Sequence, residues 1–98
     1  MNYQTNCVYI VTNKKNTVLY TGVTSNLVQR LHQHRTAGNR DFAFRYKAFK
    51  LVYLECGGDI LSVMAREKQI KAGSRAKKVA LINSINPEWR DLSEDFFL

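Results

Sequence analysis

The sequence predicts a small α+β domain, a three-stranded antiparallel sheet flanked by helices in the order β-β-α-β-α-α. Three observations predict it. Two β-branched and aromatic runs, 7–12 (Cys-Val-Tyr-Ile-Val-Thr) and 18–23 (Val-Leu-Tyr-Thr-Gly-Val), flank the polar, turn-prone 13–17, the pattern of a hairpin. A third run, 51–56 (Leu-Val-Tyr-Leu-Glu-Cys), ends at Gly57-Gly58. Two later stretches open on cap residues, Asp59 and Ser74, and end at Gly73 and at Asn86-Pro87.

The hairpin register decides whether Tyr9 and Tyr20 meet. A loop of 13–16 sets Tyr9 opposite Tyr20 on one face; a loop of 13–17 sets Tyr9 opposite Thr21 and splits the tyrosines. Both registers are open at this point. Thr24-Ser25-Asn26 offers N-cap oxygens for a helix over about 26–35. On it Leu27 and Leu31 face the core, while Arg30 and His34 form a neighbouring polar row, where a helix borders a cleft. Residues 36–48, with Gly38 and Asn39, read as irregular. Phe42, Phe44, Tyr46 and Phe49 alternate there with Arg45, Lys47 and Lys50. Such aromatics can stack on unpaired bases, but anchoring the segment on the sheet is the preferred reading.

The second helix is expected over 60–72, closed by Gly73, and the third over 75–84, stopped because the residue before a proline disfavours helical dihedrals. Ile60, Val63, Met64 and Ile70 define the apolar stripe of the second helix, and Glu67 falls inside it. An inward carboxylate is costly unless it is paired or bound to a metal. Lys71, four residues on, offers the pair, worth a few tenths of a kcal/mol; a divalent cation is the other solution.

The 98 residues are expected to form one domain over 1–98, of a size that buries roughly 60–65% of its unfolded surface. The formal net charge of +7 favours a polyanionic partner, because phosphate neutralisation releases counterions. The charge is uneven. Residues 66–78 carry Arg66, Lys68, Lys71, Arg75, Lys77 and Lys78 against Glu67, whereas 88–98 carry Glu88, Asp91, Glu94 and Asp95 against Arg90. Cys7 and Cys56 have no close-spaced ligand pattern and are expected as buried reduced thiols of a cytoplasmic protein. No signal peptide or membrane span is expected. Trp89 and Phe96-Phe97 are expected to cover the core or an interface.

Phosphodiester hydrolysis needs an activated water, cations around the pentavalent phosphorus and help for the leaving oxygen. The matching side-chain types are the phenols of Tyr9 and Tyr20, the Arg30 guanidinium, the His34 imidazole and the Glu67 carboxylate. A phenol, with a pKa near 10, is a poor base at neutral pH unless nearby cations stabilise the phenolate, and Arg30 is a permanent one.

Taken together, Cys7-Val8-Tyr9, Tyr20-Thr21-Gly22, Arg30, His34, the Glu67-Lys68-Gln69-Ile70-Lys71 helix and Asn86-Pro87-Glu88-Trp89-Arg90-Asp91-Leu92 resemble the GIY-YIG nuclease family, over about 7–92. The short standalone form of that family is the closest match. The resemblance implies a three-stranded sheet with flanking helices and a DNA endonuclease, in a family that includes a DNA repair incision subunit. It implies a site of Tyr9, Tyr20, Arg30, His34 and Glu67, with Glu67 holding one Mg²⁺ (or Mn²⁺). Nucleic-acid contacts are expected from Gly22 and, as the resemblance implies, a late asparagine, Asn86, with Asn83 as the alternative; the charge of 66–78 adds phosphate contacts from a subset of Lys68, Lys71, Arg75, Lys77 and Lys78, which cannot all face one way on two helices. Cys7 replaces the first motif glycine, Thr21 the usual isoleucine, and Val23 stands where some members carry a lysine. No second DNA-binding domain is seen in the sequence, so the expected target is the backbone or a DNA structure (branched, nicked or single-stranded) rather than a sequence. Two rivals are a nucleic-acid-binding module of the same fold without efficient cleavage, and an interaction protein whose basic helix meets an acidic partner.

Overall fold

The predicted hairpin forms from β1 (Cys7–Thr12) and β2 (Leu19–Thr24), and β3 (Lys50–Cys56) pairs antiparallel with the other side of β1, giving the strand order β2-β1-β3. The structure is a computed structural model that describes residues 5–36 and 42–95. Its helices are α1 (Leu27–Thr36), α2 (Phe42–Arg45), α3 (Ile60–Ala72) and α4 (Arg75–Ile85), followed by a 3₁₀ turn over Leu92–Asp95.

The hairpin takes neither expected register. Thr12 pairs with Leu19, so the loop is 13–18, and Tyr9 lies opposite Gly22 while Tyr20 lies opposite Val11. The side chain of Asn13 organises this longer loop, its Oδ1 accepting from the backbone N–H of Thr17 at 2.8 Å and of Val18 at 3.2 Å. Relative to Tyr9 opposite Tyr20, the strands have slipped by two residues. Side chains alternate with period two, so the slip leaves both tyrosines on one face, diagonal neighbours with ring centroids 6.5 Å apart.

Each sheet face carries its own apolar layer. Tyr9, Val11 and Leu51 pack with Leu27 and Leu31 of α1 and with Ala43 and Ala48 around α2. Val8, Ile10, Val52 and Tyr53 pack with Val63 and Ile70 of α3 and Ile82 of α4. A bulge makes the second layer possible: Ile10 pairs with Tyr53 but Val11 with Leu51, leaving Val52 as the extra residue. The edge of β3 is then covered by the chain after α4. Asn86 Nδ2 donates to Val52 O at 3.1 Å, and Asp91 Oδ1 accepts from the Leu51 N–H at 3.1 Å. Side chains thus occupy backbone groups that an open edge would offer to another strand.

Several expectations are corrected. The segment read as irregular contains α2, tied down by the Ala48 N–H donating to Ala43 O at 2.7 Å; Gly38 and Asn39 lie outside the described residues, as do Met1–Gln4 and Phe96-Phe97. Gly73 ends α3 with φ −73°, an extended backbone, instead of a left-handed cap. The left-handed residues are Gly57 (φ 115°) and Gly58 (φ 85°), which turn the chain from β3 into α3. On α3 only Val63 and Ile70 of the expected stripe are buried; Ile60 and Met64 are exposed. The two cysteines are not a buried pair of thiols. They face each other across β1 and β3 and form a disulfide, with Cys7 buried and Cys56 exposed. Among the described residues no helix is long and apolar enough to cross a membrane.

Candidate active site

Tyr9 is the hub. Its hydroxyl lies 2.6 Å from His34 Nε2 and accepts from Arg30 Nε at 3.3 Å. Both partners come from α1, one turn apart, which is why the row beside the Leu27–Leu31 stripe converges on one phenol. Asn26 caps that helix, its Oδ1 accepting from the Gln29 N–H at 3.2 Å. Gly22 makes the geometry possible: a Cβ at this position would overlap the Tyr9 phenol, 2.5 Å from its Cζ. The glycine therefore gives room to a buried ring, and in this structure it is itself buried and offers no surface to a ligand.

Tyr20 closes the cluster. Its ring meets His34 edge-on at 5.2 Å between centroids. Burial acts on Arg30 to lower its pKa, but hydrogen bonds and charge from Tyr9, then Tyr20, outweigh it and raise the guanidinium above its ordinary value. The two phenols and the cation thus form one electrostatic unit. The tyrosines differ in access: Tyr9 is 0% exposed, whereas Tyr20 is partly exposed and lines a groove.

That groove, about 350 Å³, straddles the free edge of β2. Leu19, Tyr20 and Thr21 form its floor, with Phe42 from α2 on one side and Lys71 and Lys78 from α3 and α4 on the other. Glu67 reaches the groove's border through Lys71, whose Nζ is 3.0 Å from Glu67 Oε2. The Glu67 side chain is only 14% exposed, so the inward carboxylate inferred from periodicity is present, and its partner is Lys71. The structure thus brings Tyr9, Tyr20, Arg30 and His34 together, whereas Glu67 lies outside that cluster and is tied to the groove through Lys71.

The remaining expected contacts disperse. Lys77 and Lys78 line a separate groove between α3 and α4 with Arg66. Arg75 donates to Asn16 O in the hairpin loop at 3.0 Å. Lys68 is exposed on α3 and lines neither groove. Asn86 is corrected outright as a contact residue. It is 4% exposed, and its side chain is occupied by Val52 O, Arg90 O at 2.9 Å and the Arg90 N–H at 3.2 Å. Asn83 accepts from Trp89 Nε1 at 2.7 Å, so both late asparagines build the turn after α4. Two features escaped the sequence reading. Phe42 stacks on Tyr20 (5.8 Å, 26°) and meets Tyr46 at a tilt (4.7 Å, 43°), both α2-segment aromatics being exposed, whereas Phe44 and Phe49 pack against each other. The buried Thr21 Oγ1 has no hydrogen-bond partner among the described residues; nothing local in sequence marks either.

As to a cation, no three His, Cys, Asp or Glu side chains converge among the described residues. A single carboxylate completed by waters and substrate phosphate oxygens is a donor set that Mg²⁺ accepts, so Glu67 fits a cation that arrives with its substrate.

A sheet carrying paired tyrosines, backed by an arginine and a histidine from the next helix, defines a small α+β nuclease-type domain. The family model of the GIY-YIG catalytic domain matches residues 5–80, and the chain belongs to the GIY-YIG family, whose members are in general nucleases acting on nucleic acid. It is 40% identical over 84 residues to a UPF0213 protein of Syntrophus aciditrophicus (strain SB), covering 85% of this chain and 94% of that one. A UPF0213 protein of Staphylococcus haemolyticus is 36% identical over 75 residues, 76% of this chain and 90% of that one. The solution NMR structure of a UPF0213 protein from Bacillus halodurans shares the fold, with a TM-score of 0.58 over 92% of this chain and 95% of that one, at 23% identity.

Proposed function

We propose that this protein is a divalent-metal-dependent DNA endonuclease that hydrolyses phosphodiester bonds and is directed by the backbone or by DNA structure rather than by sequence. The observation that carries the reading is the hydrogen-bonded Tyr9–His34–Arg30 cluster with Tyr20 at the groove floor. Tyr20 is the accessible phenol, beside the Arg30 charge, and is the group that takes the proton of the attacking water. Arg30 then stabilises the charge that grows on the non-bridging oxygens. Tyr9, fully buried, is the positioning residue that aims Arg30 and fixes the His34 ring. Glu67 would hold Mg²⁺ (or Mn²⁺), and such an ion supplies Lewis acidity toward the scissile phosphate and the leaving oxygen. Tyr20 opens on the β2 groove, where the strand would lie, and the net charge of +7 favours a polyanion. A role in DNA repair belongs to the same proposal, while the Cys7–Cys56 disulfide removes the reduced-thiol argument for a cytoplasmic setting.

The test incubates the protein with duplex, nicked, flapped, branched and single-stranded DNA, with Mg²⁺ or Mn²⁺ against EDTA. Metal-dependent strand scission lost by about 10²-fold or more in Arg30→Ala is expected, since a transition-state cation is worth several kcal/mol of barrier. Salt-sensitive binding without scission under any metal would instead identify a binding module of the same fold.

A further inference from the structure

The Glu67–Lys71 pair bears on how the site is loaded. Lys71 Nζ is 3.0 Å from Glu67 Oε2, and the lysine side chain is 50% exposed against 14% for the glutamate. The carboxylate is withdrawn from water and neutralised by an ammonium on a flexible stem. A divalent cation that takes the same oxygen is repelled by that ammonium at contact range, so Lys71 competes with it directly. The same lysine lines the β2 groove beside Tyr20 and Thr21. Lys78, the other groove cation, is committed to the end of α3, donating to Gly73 O at 2.7 Å. Lys71 is therefore the groove cation placed to change partner, and a phosphate in the groove offers that partner. Exchanging one ion pair for another is close to neutral in energy, so a bound backbone can shift the balance.

We propose that Lys71 is a positioning residue that couples substrate to metal: it closes Glu67 to a divalent cation until a backbone phosphate in the β2 groove draws its ammonium away. The inference rests on the reading of Glu67 as the cation's ligand. Its consequence is reciprocal: substrate tightens the metal and the metal tightens substrate. The free protein would hold the metal weakly, and the centre would be completed on a bound strand.

The test measures Mn²⁺ affinity by electron paramagnetic resonance of the free ion, on the full chain without DNA. A pair worth a few tenths of a kcal/mol is closed about two-thirds of the time and weakens apparent affinity about threefold. Lys71→Met is therefore expected to bind Mn²⁺ about threefold more tightly than the wild type, and Lys71→Arg to restore the weaker binding. Glu67→Gln is expected to lose the site. Adding a duplex oligonucleotide in the Arg30→Ala background should tighten Mn²⁺, and the gain should shrink when Lys71→Met is combined with it. Equal affinity in wild type and Lys71→Met, with Glu67→Gln still deficient, overturns the role of Lys71 and leaves Glu67 as ligand. Mn²⁺ binding by Glu67→Gln at wild-type strength overturns both.

Discussion

Burial separates the two site tyrosines into different roles. Tyr9 is 0% exposed and hydrogen-bonds the equally buried His34 at 2.6 Å, so its hydroxyl acts on its neighbours. Tyr9→Phe removes a buried partner and is expected to lower unfolding free energy by about 1–3 kcal/mol, together with activity. Tyr20 stands at the groove, and Tyr20→Phe is expected to leave the thermal midpoint in place while cutting turnover about 10²-fold. Comparing the two variants by calorimetry and by single-turnover cleavage separates the roles; equal stability losses would refute them. Gly22→Ala belongs with Tyr9, because the added methyl overlaps the phenol; overpacking of this kind costs about 1–3 kcal/mol.

At the scale of elements, what was legible was local. Asp59 and Ser74 cap α3 and α4 as expected, accepting from the Ser62 N–H at 2.9 Å and the Lys77 N–H at 3.2 Å, because a cap needs only the residues beside it. The row of Arg30 and His34 and the inward Glu67 were readable from helix period, whereas the tyrosines stood out through the resemblance to the GIY-YIG family, their shared face being left open by the sequence. What depended on distant pairing was not. The Asn13-organised loop set the hairpin slip, and the β1–β3 register set the meeting of cysteines 49 residues apart. α2 is four residues long, too short for a periodic signal, and α3 meets the sheet with only Val63 and Ile70 buried, so its hydropathy stripe was broader than its contact. The Asp59 cap carries a pH signature. Hydrogen bonds from Ser62 hold its carboxyl below the usual carboxylate range. Its stabilisation is thus present above the unfolded-state pKa and is lost as pH falls through the lower folded value. The midpoint difference between wild type and Asp59→Ala should be full at neutral pH and shrink in acid; a difference that grew in acid would refute the cap's ionised form.

For the molecule as a whole, two global properties make predictions: charge and cross-linking. The +7 charge implies that DNA affinity falls steeply as salt rises. Lys71, which lines the Tyr20 groove, should contribute to that slope, and Lys68, which lines neither groove, should contribute little. The disulfide acts on the other side of the ledger, on the unfolded chain. Cys7 and Cys56 occupy directly opposed positions and close a loop with a sequence separation of 49. A loop of that length restricts the unfolded ensemble by about 4 kcal/mol in the chain-entropy account, with about 2–4 kcal/mol typical of measurement. Reductant is therefore expected to lower the unfolding free energy from urea titration by an amount within that range, and Cys7→Ser/Cys56→Ser to show the lowered stability with or without reductant. The site should be indifferent well below the melting temperature, since the hydrogen bonds by which Tyr9 positions Arg30 and His34, and the room that Gly22 leaves for its ring, do not involve the bridged cysteines. Reduced and oxidised protein should then cleave at the same rate in the cold and diverge only as the reduced form begins to unfold. A rate that followed the redox state far below the transition would show that the bridge shapes the site as well as the stability of the sheet that carries it.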